Sequence, residues 1–388
     1  MAAYALPQPD LKPRYNIRYN NVHLLFHVIA FIASFNVATI NSPQTGTWLM
    51  FLLAGCAVSY QKIKLRYLKV AMLAWLITLG ISCFIVKPVF FGSATMFTLA
   101  ATPLLGLTLP KDLGWYLRAF GGVILLYAIA IIFQFIFNIH AYDIFLYDYH
   151  WFDEHHPAPA WPLIDPNNTA AVLNCALIPC FYNIIHPLNG MDKNRDTQYP
   201  IRLAFIFLTL IFSIALLFTA SKAGIAVAVL MCSFLYIFER GYKWWLSLLA
   251  VGIIDQISVS WHVITVAFQN RWQIWVAAAP LVAISPWSGL GMATFPYYYN
   301  QLKTEHFTAG FWAHNDLLQI AIEMGIPALI VFLCLWGVVL INTSRKNIVS
   351  ACVLMGVFLQ SLVEFQFYVP PIAILCGLAL AWHEENYA

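Results

Sequence analysis

Charge is what this sequence has least of: only 10% of its 388 residues are Asp, Glu, Lys or Arg, where a soluble domain carries roughly a quarter. With 61% hydrophobic residues and a mean hydropathy of +0.74, that scarcity excludes a soluble globular fold. The net charge is a modest +3, and no nucleic-acid partner is expected. Polar stretches contain no cysteine. All eight (Cys56, Cys83, Cys175, Cys180, Cys232, Cys334, Cys352 and Cys376) fall inside apolar runs, so neither a disulfide framework nor a thiolate metal site is expected. No cleavable leader is expected either. Residues 1–21 are polar and basic, with Lys12, Arg14 and Arg18, and the apolar run at 22–40 has no small-residue cleavage pattern behind it. Internal repeats and low-complexity segments are likewise absent.

What is present is a succession of apolar runs, most of them long enough for a bilayer, which needs about 20 residues each. They are continuous rather than alternating, which argues for helices against a membrane barrel. Twelve spans are expected, at 22–40, 47–60, 67–86, 92–109, 115–138, 169–186, 203–220, 223–238, 244–258, 326–342, 348–364 and 368–382. The fold is thus predicted to be an all-α polytopic membrane domain over 22–388, after a cytoplasmic tail at 1–21. If that tail is inside, sixteen of the twenty basic residues lie on the same side, as the positive-inside rule requires. Both termini then lie in the cytoplasm. Two long loops, 139–168 and 259–313, face the other side, and loops of that length usually carry a function.

Four cations break the charge rule: Lys87, Lys222, Arg271 and Lys303. Lys87 stands beside Pro88 at a span end, where a snorkelling lysine is ordinary, and Lys303 reads as a solvated loop residue. Lys222 sits in a tight break between two apolar runs, Phe218-Thr219-Ala220-Ser221-Lys222-Ala223-Gly224. Its small neighbours let a phosphate approach. Arg271 opens the amphipathic Arg271-Trp272-Gln273-Ile274-Trp275, and a guanidinium clamps phosphate with two parallel hydrogen bonds. Each also suits plain anchoring to lipid headgroups. His314 begins a helical pattern that runs to Glu323 and breaks at Gly325-Ile326-Pro327, so its ring is placed for proton transfer or phosphate binding. Glu323, about 13 Å further along, is not expected to touch it. In the first loop, Asp153-Glu154-His155-His156 lacks any fixed ligand spacing, and no metal is expected there. Asp165-Pro166-Asn167-Asn168 reads as a turn capping the span that follows.

Taken in order, four stretches resemble the O-antigen ligase and O-antigen polymerase superfamily, which includes bacterial protein O-oligosaccharyltransferases. They are Trp161-Pro162-Leu163-Ile164-Asp165-Pro166-Asn167-Asn168, Thr219-Ala220-Ser221-Lys222-Ala223-Gly224, the run from Arg271 through Ser285-Pro286-Trp287-Ser288-Gly289-Leu290-Gly291, and Ala313-His314-Asn315-Asp316 through Glu323-Met324-Gly325-Ile326-Pro327. A weaker echo runs from Gln360 through Glu364 to Pro370. The resemblance implies a metal-independent, inverting glycosyltransferase of the bacterial inner membrane with a periplasmic active site and no cofactor. Its donor is a glycan on undecaprenyl diphosphate, and its acceptor a hydroxyl of lipid A-core, glycan or protein. Carried onto this chain, it implies that Lys222 and Arg271 hold the diphosphate. His314 then lies beside the acceptor hydroxyl or the diphosphate, as base or as hydrogen-bond donor. Ser221, Asn315, Glu323, Asn167, Asn168 and Gln360 are implied as supporting residues. Two departures stand out: the family's usual Ser-x-Arg reads Ser221-Lys222 here, and Gln360 replaces a histidine common among relatives.

A ligase of O-antigen to lipid A-core is the leading expectation. A repeat-unit polymerase and a ligase for pilin or other proteins share the donor chemistry. A lipid-glycan transporter would instead place charges deep within several spans.

Overall fold

The computed structural model describes residues 29, 31, 113–139, 163, 165–186, 195–240, 271–292, 294–302, 312–345 and 347–385. The expected tail at 1–21, most of the span at 22–40, the spans at 47–60, 67–86, 92–109 and 244–258, the acids and histidines at 153–156, Lys87 and Lys303 lie outside them. Within the described residues the chain is all-helical, with no strand.

Among the described residues, ten helices with defined bounds follow in order. They are α1 (Leu113–Ile136), α2 (Pro166–Ile185), α3 (Arg195–Phe218), α4 (Lys222–Arg240), α5 (Arg271–Ile284), α6 (Phe295–Leu302), α7 (Asp316–Met324), α8 (Ile326–Ser344), α9 (Ile348–Ser361) and α10 (Pro370–Glu385). Five of them, α1 to α4 and α8, are long and apolar enough to cross a membrane. Their outward faces carry side chains such as Leu126, Phe207, Leu217 and Phe238, each at least 59% exposed. Exposed side chains of that size, in such number, suit helix faces that meet lipid.

The seven expected spans within reach all coincide with helices, but two are corrected. The run expected at 348–364 is a helix of 14 residues ending at Ser361, about 21 Å long at helical rise and short of the ~30 Å apolar layer. The run expected at 368–382 begins as a 3-10 turn, Gln366–Tyr368, and only then becomes α10, opened by Pro370 and Pro371. The stretch 259–313, expected as loop, contains α5 and α6. Ile274, Ala278 and Leu281 recur on one face of α5 and join Phe295 and Tyr299 of α6 in a small core of their own, which is the apolar spacing a packed helix needs.

The main core forms around α2, which packs on α1, α3, α4, α9 and α10. Of its residues 61% are buried, against 17% of the apolar stretch of α3, so α2 is the centre and α3 the rim. Asp165 caps α2 by accepting from the amides of Asn167 and Asn168, and Pro166 fills the first position, where no amide donor is needed. α2 and α4 are joined at both ends. Ser221 bonds Asn167 at one (2.6 Å), and His186 bonds Glu239 at the other (3.0 Å). They therefore run parallel, with α3 returning between them. Phe135 at the end of α1 stacks on Phe218 at the end of α3 (3.8 Å), so those two helices finish at the end where α2 and α4 begin.

Candidate active site

That end of the bundle gathers polar residues from across the sequence. Asn167 lies in the first turn of α2, Lys222 is the first residue of α4, and His314 precedes Asn315, the cap of α7. Arg271 is the first described residue of α5. Glu364 lies between α9 and the 3-10 turn. Three helices, α2, α4 and α7, thus begin in one region, and the positive ends of their dipoles favour negative charge there.

Glu364 is the centre of the arrangement, and its side chain is 0% exposed. One carboxylate oxygen, Oε1, accepts from the Arg271 guanidinium and from the Asn167 amide (2.7 Å). The other, Oε2, meets Nδ1 of His314 at 2.8 Å. Burial favours a protonated Glu364, but His314 and Arg271 together hold its carboxyl below the usual carboxylate range. An ionised carboxylate only accepts, so Nδ1 of His314 carries the proton and donates, leaving Nε2 available. Burial disfavours the imidazolium of His314, yet the Glu364 charge and hydrogen bond outweigh it and lift the pKa above its ordinary 6.5. The His314 side chain remains 29% exposed and that of Arg271 22%, so both reach outward from a buried partner. Lys222 lies close enough to Arg271 for the two like charges to interact.

The backbone that presents His314 is strained and held from both sides. His314 has φ +48°, a left-handed conformation uncommon for a residue with a side chain. Before it, the Ala313 amide donates to Gln319 (2.7 Å) and the Ala313 carbonyl accepts from the Trp275 indole (2.9 Å). After it, Asn315 caps α7 through the Leu318 amide and donates to the Leu362 carbonyl, both at 2.9 Å. Ala220, immediately before Ser221, is also left-handed, at φ +53°.

Of the residues singled out from sequence, Lys222, Arg271 and His314 are brought together, and Ser221, Asn167 and Gln360 join the same network. Gln360 donates to the Asn167 carbonyl (2.6 Å), which ties α9 to α2. Asn315 supports His314 from the helix cap. Asn168 is buried and bonds through its amide to Asp165. Glu323 sits elsewhere, accepting from Gln319 (2.7 Å) and from the Phe295 amide (3.4 Å), where it anchors α6 to α7. Sequence reasoning passed over Glu364 as an individual residue, although a lone acid inside the apolar run 348–378 was a signal. Asp165, read as a cap, has a second property. Burial first, and the Glu364 charge second, push its carboxyl up to about 6.

Among the described residues no group of three or more His, Cys, Asp or Glu side chains is arranged to hold a metal ion. No individual curated protein matches the chain. Residues 207–333, which include Lys222, Arg271 and His314 but stop short of Glu364, match the family model for O-antigen ligase, a match that supports membership of the O-antigen ligase superfamily.

Proposed function

We propose that this protein transfers a glycan from undecaprenyl diphosphate to an acceptor hydroxyl at the periplasmic face of the inner membrane, as a ligase of O-antigen to lipid A-core. The observation that carries the reading is the pairing of Arg271 and His314 on one buried carboxylate, with Lys222 beside them. Two neighbouring cations are relieved by an anion between them, and a diphosphate supplies one at the membrane surface. In the proposed step, Nε2 of His314 takes the proton of the acceptor hydroxyl while its oxygen attacks the anomeric carbon from the face opposite the leaving group. The bond from that carbon to the diphosphate oxygen breaks, and its electron pair leaves with the diphosphate. Lys222 and Arg271 balance the charge that develops there, which is how oriented donors lower such a barrier. Glu364 keeps the His314 tautomer correct and stabilises the imidazolium as it forms.

Both Arg271→Ala and His314→Ala are expected to abolish transfer while the protein still reaches the membrane. A variant that transfers normally removes its residue from this role. Deletion of the gene distinguishes acceptors. A ligase mutant accumulates carrier-linked polymer over bare lipid A-core, and a polymerase mutant shows single repeat units on core. A protein ligase mutant leaves lipopolysaccharide intact. Because the step is proposed to need no metal, EDTA treatment followed by assay of the purified protein is expected to leave the rate unchanged. Inactivation reversed by a divalent cation would refute that part.

A further inference from the structure

The proposed mechanism uses Glu364 but does not explain what aims its two oxygens at different partners. Asn167 occupies the position from which that can be done. All of its side-chain hydrogen bonding is directed. Its Nδ2 donates to Glu364 Oε1 (2.7 Å), and its Oδ1 accepts from the Ser221 hydroxyl (2.6 Å). The amide orientation follows from chemistry, because an ionised carboxylate can face only the NH₂ end. The Ser221 hydroxyl also accepts from the Gly224 amide (3.1 Å), so its own proton is free to point at Asn167. The backbone of Asn167 is fixed as well: its amide donates to Asp165 (2.6 Å) and its carbonyl accepts from Gln360 (2.6 Å). One residue therefore joins the beginnings of α2 and α4 and the end of α9, and presents a single donor to the catalytic carboxylate.

We propose that Asn167 is a positioning residue that holds Glu364 Oε1 toward Arg271 and so reserves Oε2 for His314. The inference rests on the transferase reading above. It makes a demand that mere packing does not: the residue must donate to Glu364 and must be neutral. The charged groups around Glu364 are Arg271 from α5, Lys222 from α4, Asp165 before α2, and His314 and Asp316 at the start of α7. Two acids are already in reach, so a third carboxylate at 167 adds a like charge directly against Glu364.

Asn167→Asp is nearly isosteric, and it replaces the donor with a negative charge against Glu364. A proton is then retained on the Glu364–His314 pair to higher pH. The acid limb of the pH–rate profile is expected to move up by about one unit, which lowers kcat by about tenfold below the limb. KM for the lipid-linked donor is expected to stay within about twofold. Asn167→Ala removes the donor without adding charge, and it is expected to lower kcat about tenfold with the limb and KM near their wild-type positions. A structural role alone would make the two variants behave alike, and equal limb positions in both would overturn the proposal. Should the Asp variant fail to reach the membrane, unaltered kcat in Asn167→Ala overturns it just as well.

A second readout does not need transfer at all. Diethyl pyrocarbonate acylates neutral imidazole, and mass spectrometry of the His314 peptide gives its extent as a function of pH. The His314 titration is expected to move upward in Asn167→Asp and not in Asn167→Ala. If the wild type shows no glycan transfer, the functional reading fails while this titration still decides the role of Asn167. An unmoved His314 titration in the Asp variant rejects the positioning role whatever the transfer assay shows.

Discussion

Glu364 combines a cost and a use. A carboxylate that is 0% exposed is costly unless charge and hydrogen bonds compensate it, and here Arg271, His314 and Asn167 all do. Glu364→Gln keeps the shape and removes the charge. It is expected to cut transfer by about 10² to 10³, the usual worth of a tuned acid–base group. The same change removes what raises the His314 pKa. With Glu364 present, the imidazole titrates above 6.5, so a base at this position is protonated at low pH and becomes active as pH rises through that value. The acid limb of wild-type activity is therefore expected above pH 6.5, and Glu364→Gln is expected to move it down. Activity that falls with rising pH in this range would instead make the imidazolium the working form of His314. Lys222, Arg271 and His314 were legible in the sequence because each interrupts a pattern: two break the charge bias and one opens a polar helix start. Glu364 interrupts a pattern too, but its partners are 50, 93 and 197 residues away in sequence. No periodicity reports a pairing of that range.

The helices show where hydrophobic pattern reads structure well and where it stops. α1 to α4 and α8 fall within a few residues of their expected positions, apart from a longer start to α3, because a bilayer demands long uninterrupted apolar helices. α9 ends early because Leu362, Val363, Phe365 and Phe367 prolong the apolar signal past its last turn, while the backbone must turn to present Glu364. α5 and α6 were hidden in an aromatic-rich stretch of which Phe295 and Tyr299 are buried while Trp272, Trp287 and Tyr297 are exposed. Two glycines carry the joints between such elements. Gly289 has φ +71°, and a Cβ there would overlap the backbone of Glu323. Its loop donates the amides of Leu290 and Gly291 to the carbonyls of Ile322 and Glu323 (2.8 and 3.0 Å), clasping the end of α7. Gly224 brings α4 against α2 so closely that a Cβ would overlap that of Ala170, and its carbonyl accepts from Asn174 (2.9 Å). Gly224→Ala is expected to destabilise the protein by about 1–3 kcal/mol, the usual cost of overpacking. Gly289→Ala is expected to cost more, because strain at positive φ adds to the overlap. Thermal unfolding in detergent measures both, and a midpoint equal to that of the wild type in either variant would contradict the close approach described.

For the whole molecule, the helix directions make a statement about sides. The starts of α2 and α4 and the end of α9 share one end of the bundle with the candidate site. The end of α8 lies at the far end of α9, about 21 Å away at helical rise. Ala220, beside Ser221, and Ser344, at the end of α8, are both exposed. Ala220→Cys in intact spheroplasts is expected to react with a membrane-impermeant maleimide. Ser344→Cys is expected to react only after permeabilisation. The reverse pattern would place the site in the cytoplasm and remove the proposed donor and acceptor together. The resemblance carried by residues 160–370 and the charge bias of the loops are what support this orientation. The convergence of the site residues required the fold itself.

The range of the Glu364 contacts also bears on how the protein is made. Lys222, Arg271 and His314 leave the ribosome and enter the membrane before the residue that organises them. Until α9 is in place and Glu364 follows it, Arg271 and His314 lack the carboxylate that pairs them, and the Asn167 amide has no acceptor there. A nascent chain halted before residue 348 is thus unable to assemble the site even with every cation present. Glu364, close to the end of the chain, thus completes a site whose other members stand far ahead of it in sequence.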